Sequence, residues 1–238
     1  MARLDAASDL ADRPGAFSQG SWSKVAALEL LVELGRWDEM LTRAEPLARD
    51  ARMDESLVVA VDLWTALVHL RRGQPVTEVD DVVQRARNVE ELQVLAPALA
   101  LGAQAALASG DRDRAASLAA EFETVTRGKA SMYRSESAAV IARVAIAAGV
   151  PEVADDLVTR SEPVTMRDEL FLDTTEAIVR EAEGAAQPEV WAVLERRWRE
   201  YGNVFEEALA ALARGRTSGD QDARERGTKL LDALGIPR

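Results

Sequence analysis

Side chains able to do acid–base or metal chemistry are sparse in this chain. His69 is the single histidine, and cysteine is absent. An imidazole inside the apolar run Leu67-Val68-His69-Leu70 reads as a packed or edge side chain. A zinc site would need further nitrogen or sulfur ligands, and a triad would need a placed nucleophile. The motifs Gly-x-Ser-x-Gly and Gly-x-Gly-x-x-Gly and a glycine-rich phosphate loop are missing. Asp111-x-Asp113 opens like a calcium loop, but the glycine at position six and the glutamate at position twelve are not there. The related Asp220-x-Asp222 follows Gly219. Both acidic pairs fit helix N-termini, where carboxylates accept orphan N–H groups and oppose the dipole. Asp80/Asp81, Glu90/Glu91 and Asp168/Glu169 are sequence neighbours. On a helix such neighbours diverge by about 100° and share no substrate atom. Trp191, Leu194, Trp198 and Tyr201 form one helical stripe, expected in the core. The inventory argues against an enzyme and against a resident metal or cofactor.

The elements that hold these residues are punctuated by glycine. Gly35, Gly73, Gly110, Gly149, Gly184 and Gly219 follow one another at gaps of 38, 37, 39, 35 and 35 residues. Each closes an apolar-rich helical stretch, and periods of this size mark stacked helix pairs. The pattern predicts an all-α chain of about twelve helices. The first runs over about 22–34 and the last over 220–234, with residues 1–20 an irregular arm or short helix and 21–235 one helical domain. Asp54 is the expected N-cap of a helix over 55–72, and Pro151 and Pro188 suit first helical turns. Alanine and leucine dominate and aromatic residues make up only 5%, which suits helices better than sheets. The net charge of −12 argues against a direct nucleic-acid partner, since phosphate binding rests on Lys and Arg. The greasiest stretch, 92–108, is short and interrupted by Gln93, Pro97 and Gln104, which argues for a buried helix and against a membrane span.

The segments Leu34-Gly35-Arg36-Trp37-Asp38-Glu39 and Ser109-Gly110-Asp111-Arg112-Asp113-Arg114-Ala115 resemble the A-to-B turn of tetratricopeptide repeats. Ala115 and Ala154 fit the small position that lets helix B pack closely, whereas Met40 departs from it. The early Trp and Tyr of that family's helix A are missing, and every interval exceeds its usual spacing. The ending, with Trp198-Arg199-Glu200-Tyr201-Gly202, Phe205-Glu206-Glu207-Ala208-Leu209 and Leu230-Leu231-Asp232-Ala233-Leu234-Gly235, resembles the close of the helical-repeat region in bacterial signalling proteins. Those proteins join an ATPase module to a cyclase or DNA-binding output domain. The resemblance implies a right-handed α-solenoid of about six antiparallel pairs, a degenerate tetratricopeptide-like superhelix in the cytoplasm. Its concave face would serve as a non-enzymatic scaffold for a protein or peptide. Sensing of a small molecule inside the superhelix, and self-association into a homodimer through the last helix pair, are the alternatives.

In such a stack, helix A lines the groove, and the position six residues before each turn glycine points inward. That register selects Glu29, Leu67, Gln104, Arg143, Ile178 and Ala213. Gln104 and Arg143 stand out on otherwise apolar helices, where a polar group is costly without a partner. Glu29, Gln104 and Arg143 are therefore candidates to read a peptide or a small acidic ligand, with Arg71 as a secondary candidate. The competing expectation is structural: Arg143 would pair with an acid on a neighbouring helix, and Gln104 would bond a backbone carbonyl.

Overall fold

The computed structural model describes residues 17–129 and 131–237, with no account of the side chains of 17–19 and 131. Among these residues the chain forms twelve helices. They are α1 (Phe17–Glu33), α2 (Trp37–Ala48), α3 (Glu55–Arg71), α4 (Val79–Val89), α5 (Leu92–Ala108) and α6 (Arg112–Thr126). They continue as α7 (Ser131–Ala148), α8 (Pro151–Thr159), α9 (Met166–Ala182), α10 (Pro188–Tyr201), α11 (Val204–Ser218) and α12 (Gln221–Ala233). Residues 1–16, part of the expected arm, lie outside the described residues. Helix α1 starts before the expected residue 22, and buried Gly20 and Ser21, read as a turn from sequence, sit inside it. No helix among the described residues is long and apolar enough to cross a membrane.

Side-chain caps start several helices where the sequence places them. Asp54 accepts from Leu57 N–H, Asp111 from Arg114 N–H at 3.0 Å, and Asp220 from Ala223 N–H at 2.9 Å. Thr165 and Asp168 form a reciprocal capping box at the start of α9. Stops are made by the glycines. After Gly35, Gly73, Gly110, Gly149 and Gly184, the next residue's N–H bonds a carbonyl five residues back, as in Arg36 N–H to Leu31 O at 2.8 Å. This closure takes up carbonyls that the helix end leaves free.

Packing is largely sequential: each helix lies against the next, and α3, α5, α7 and α9 also contact one another in series. Buried alanines on α5, α6 and α7, such as Ala96, Ala103, Ala119 and Ala142, let these helices approach closely. Arg134, 2% exposed, ties three helices together. It donates to Thr126 Oγ1 at 3.0 Å, to Asp156 O at 3.0 Å and to Ser161 Oγ at 2.9 Å. The aromatic stripe of α10 is core: Trp198 is fully buried, donates to Thr174 Oγ1 at 2.9 Å and meets Phe171 edge-on at 4.9 Å.

The row of helices closes on itself. Arg72 Nε donates to Leu234 O at 3.0 Å while its Nη1 pairs with Asp38 at 2.8 Å, so the chain's end is fastened to the α1–α3 corner. Phe205 at the start of α11 meets Trp37 at 6.2 Å. Gly35 sits in this seam with φ +69°, and a Cβ there would come 2.9 Å from Leu234 Cδ2 and 3.1 Å from Val204 Cβ. Gly110 has a similar φ of +84° but nothing within 4 Å. Both Ala substitutions carry the left-handed backbone cost of about 1–2 kcal/mol. Gly35→Ala adds the clash, so urea denaturation is expected to show a clearly larger loss for Gly35→Ala than for Gly110→Ala. Equal losses would mean that the seam contributes nothing to stability.

Candidate ligand site

The six register positions line three neighbouring pockets. Glu29, Leu67 and Gln104 line an inner cavity of about 80 Å³. Gln104 and Arg143 line an adjoining cleft of about 310 Å³. Arg143, Ile178 and Ala213 line a third recess of about 430 Å³. Arg71, Gln104, Val140 and Phe205 border both the inner cavity and the cleft, so these four side chains form the partition between them.

Glu29 belongs to a charge cluster on the wall of the inner cavity. Arg167 of α9 donates to Glu29 Oε1 at 2.6 Å and to Glu33 Oε1 at 2.6 Å, and also bonds Glu136 of α7. Glu29 and Glu33 are one helical turn apart on α1, so both reach the same guanidinium. Three carboxylates face one cation. Burial, opposed by Arg167 and reinforced by Glu29 and Glu33, pushes the Glu136 carboxyl up to about 8. Glu33 is raised for the same reason, burial outweighing Arg167.

Gln104 Nε2 donates to Ala100 O at 3.2 Å, one turn back on its own helix. Arg143 is held by Glu206 of α11 through a two-pronged pair, Nη1 to Oε1 at 3.1 Å and Nη2 to Oε2 at 2.7 Å. Glu206 is only 3% exposed and is fixed at the helix start, where its N–H bonds Asn203 Oδ1 at 3.1 Å. The structural expectation for these two side chains thus describes their bonds, while both still border the cleft.

Arg71 differs from its neighbours. Its guanidinium carbon lies over the Phe205 ring, 3.9 Å from the centroid. Its Nε is sealed from solvent without a hydrogen-bond partner among the described residues. Glu206, the nearby carboxylate, is engaged by Arg143. Burial pushes the Arg71 guanidinium down to about 10, with Glu206 opposing and Arg143 adding to the fall. It remains a cation at neutral pH.

No family model, curated protein or solved structure matches this chain. The site must be read from its own chemistry. Among the described residues no group of three His, Asp or Glu is placed to hold a metal ion. His69 sits in the last turn of α3 and meets Gln74, away from the cleft. Phe205, Glu206 and Arg167 escaped the sequence reading. The i, i+4 acids Glu29 and Glu33 were a readable signal that a cation must approach α1. Nothing periodic in 204–209 signals that α11 turns inward.

Proposed function

We propose that this chain is a non-enzymatic sensor domain that binds an acidic small molecule in the cleft bordered by Arg71, Gln104 and Arg143. The observation that carries the reading is Arg71, a partly buried cation braced on Phe205 with no carboxylate of its own. Arg71 borders the cleft without a paired carboxylate, and its guanidinium offers an anionic ligand charge-assisted donors. The cleft's volume and mostly apolar lining match small-molecule sites.

On this reading the helix pairs form a degenerate tetratricopeptide-like α-solenoid whose concave face is closed by its own last pair. The domain would serve as the regulatory region of a bacterial, cytoplasmic signalling or transcription-control system, and ligand occupancy would bias an attached or partner output module. A peptide scaffold fits the geometry less well, because Phe205, Glu206 and Leu209 stand where a peptide would lie against the inward positions. Native mass spectrometry of the purified protein is expected to show one small acid per chain, and the adduct is expected to vanish in Arg71→Met. Capture of a peptide or protein by the wild type, with no small-molecule adduct, would overturn the reading.

A further inference from the structure

The charges around the cleft add up to a specific demand. Its lining is Leu70, Leu107, Val140, Val144, Phe205 and Leu209 among the apolar residues, with Arg71, Arg143 and Gln104 as the polar ones. Two guanidiniums meet one carboxylate, Glu206 on Arg143, which leaves a single positive charge on Arg71. One ligand anion balances it. Phe205 lies 3.9 Å from the guanidinium carbon and Nε is sealed, so the Nη groups are left to meet an anion, where a planar carboxylate makes a two-pronged contact. Apart from Gln104 and Arg143, which Glu206 already holds, the remaining wall is aliphatic. A second charge on the ligand would be desolvated there without a partner.

Size narrows the class further. At about 310 Å³ the cleft lies at the low end of the range for small-molecule sites, which favours a small ligand. We propose that the cleft takes a medium-chain monocarboxylate, with its carboxylate on Arg71 and an apolar body along Leu70, Leu107, Val144 and Leu209. This inference rests on the acidic-ligand reading above and adds the apolar body and the single charge. Inorganic phosphate and dicarboxylates satisfy Arg71 but waste the aliphatic wall, and a primary amine is repelled.

Isothermal titration of the full chain at neutral pH tests this with octanoate as the probe. One site per chain is expected. Octanamide and octylamine should bind at least tenfold more weakly, and each methylene removed from the acid should cost about fourfold. Arg71→Met is expected to weaken octanoate by roughly tenfold to a hundredfold, the range for a bond to a charged group. Ala108→Glu, at the exposed end of α5 on the cleft rim, keeps the test open if Arg71→Met folds poorly; it should weaken octanoate at least tenfold with an unchanged melting temperature. Octanamide binding as tightly as octanoate would overturn the carboxylate assignment. Phosphate or succinate binding in place of octanoate would overturn the apolar body yet leave the acidic-ligand reading standing. Failure of every acid at millimolar concentration, with no adduct in native mass spectra, would remove both.

Discussion

Glu206→Ala is expected to lower the unfolding free energy by about 3 kcal/mol, on the scale for breaking a buried ion pair by removing one partner. The loss is large because Glu206 serves two cations. It holds Arg143 directly, and its field is what favours the charged form of Arg71. Without it, two guanidiniums face each other across a partly desolvated cleft. For a domain of this length the loss corresponds to a fall of about 6–12 °C in melting temperature. The double replacement Glu206→Leu with Arg143→Met removes both charges and should recover most of the stability, as apolar substitution of buried pairs often does. A double variant as unstable as the sum of the two single ones would show that the pair is not coupled. The cycle also speaks to closure of the fold, because Glu206 sits at the start of α11, next to Phe205 on Trp37.

The helices were legible because their signals are local. Asp54, Asp111 and Asp220 cap helices through bonds that span three residues, and the turn glycines close the preceding helix over five. The register positions do line neighbouring pockets, since residues one fixed offset from equivalent turns face the same way when pairs pack in series. What sequence could not supply is who meets those side chains. Arg143 finds Glu206 at a separation of 63 residues, and Glu29 finds Arg167 at 138. Such pairings depend on how far the row of helices turns before it meets itself, and no periodicity encodes that. Gln104 shows the other limit: a polar residue on an apolar helix borders the cleft, yet its amide is partly satisfied by Ala100 of its own helix.

Arg167→Met should destabilise the protein by about 2–4 kcal/mol at pH 8, scaled down from a fully buried pair because the cluster is partly exposed. Most of that loss should disappear at pH 5. The groups that face one another are Glu29 and Glu33 from α1, Glu136 from α7, Arg167 and Asp168 from α9, and Tyr201 from α10. Glu136 and Glu33 have folded pKa values raised above 4.5, so the fold binds their protons more tightly than the unfolded chain does. Their contribution is fully present below about 4.5 and is lost as pH rises toward about 8. Arg167 limits that loss by offering the carboxylates a cation. Without it they must stay protonated or repel, and pH 5 supplies the protons. Urea titrations of the wild type and Arg167→Met at both pH values measure the difference, and Glu136→Gln should flatten the wild-type slope across the same window. Glu195 gives the opposite sign in a separate range. Burial alone would raise its carboxyl, but bonds from Arg226 and Arg214 prevail and hold it below 4.5, so its contribution is lost only in more acidic solution. An Arg167→Met deficit equal at pH 5 and pH 8 would mean that the fold does not raise the Glu136 and Glu33 carboxyls.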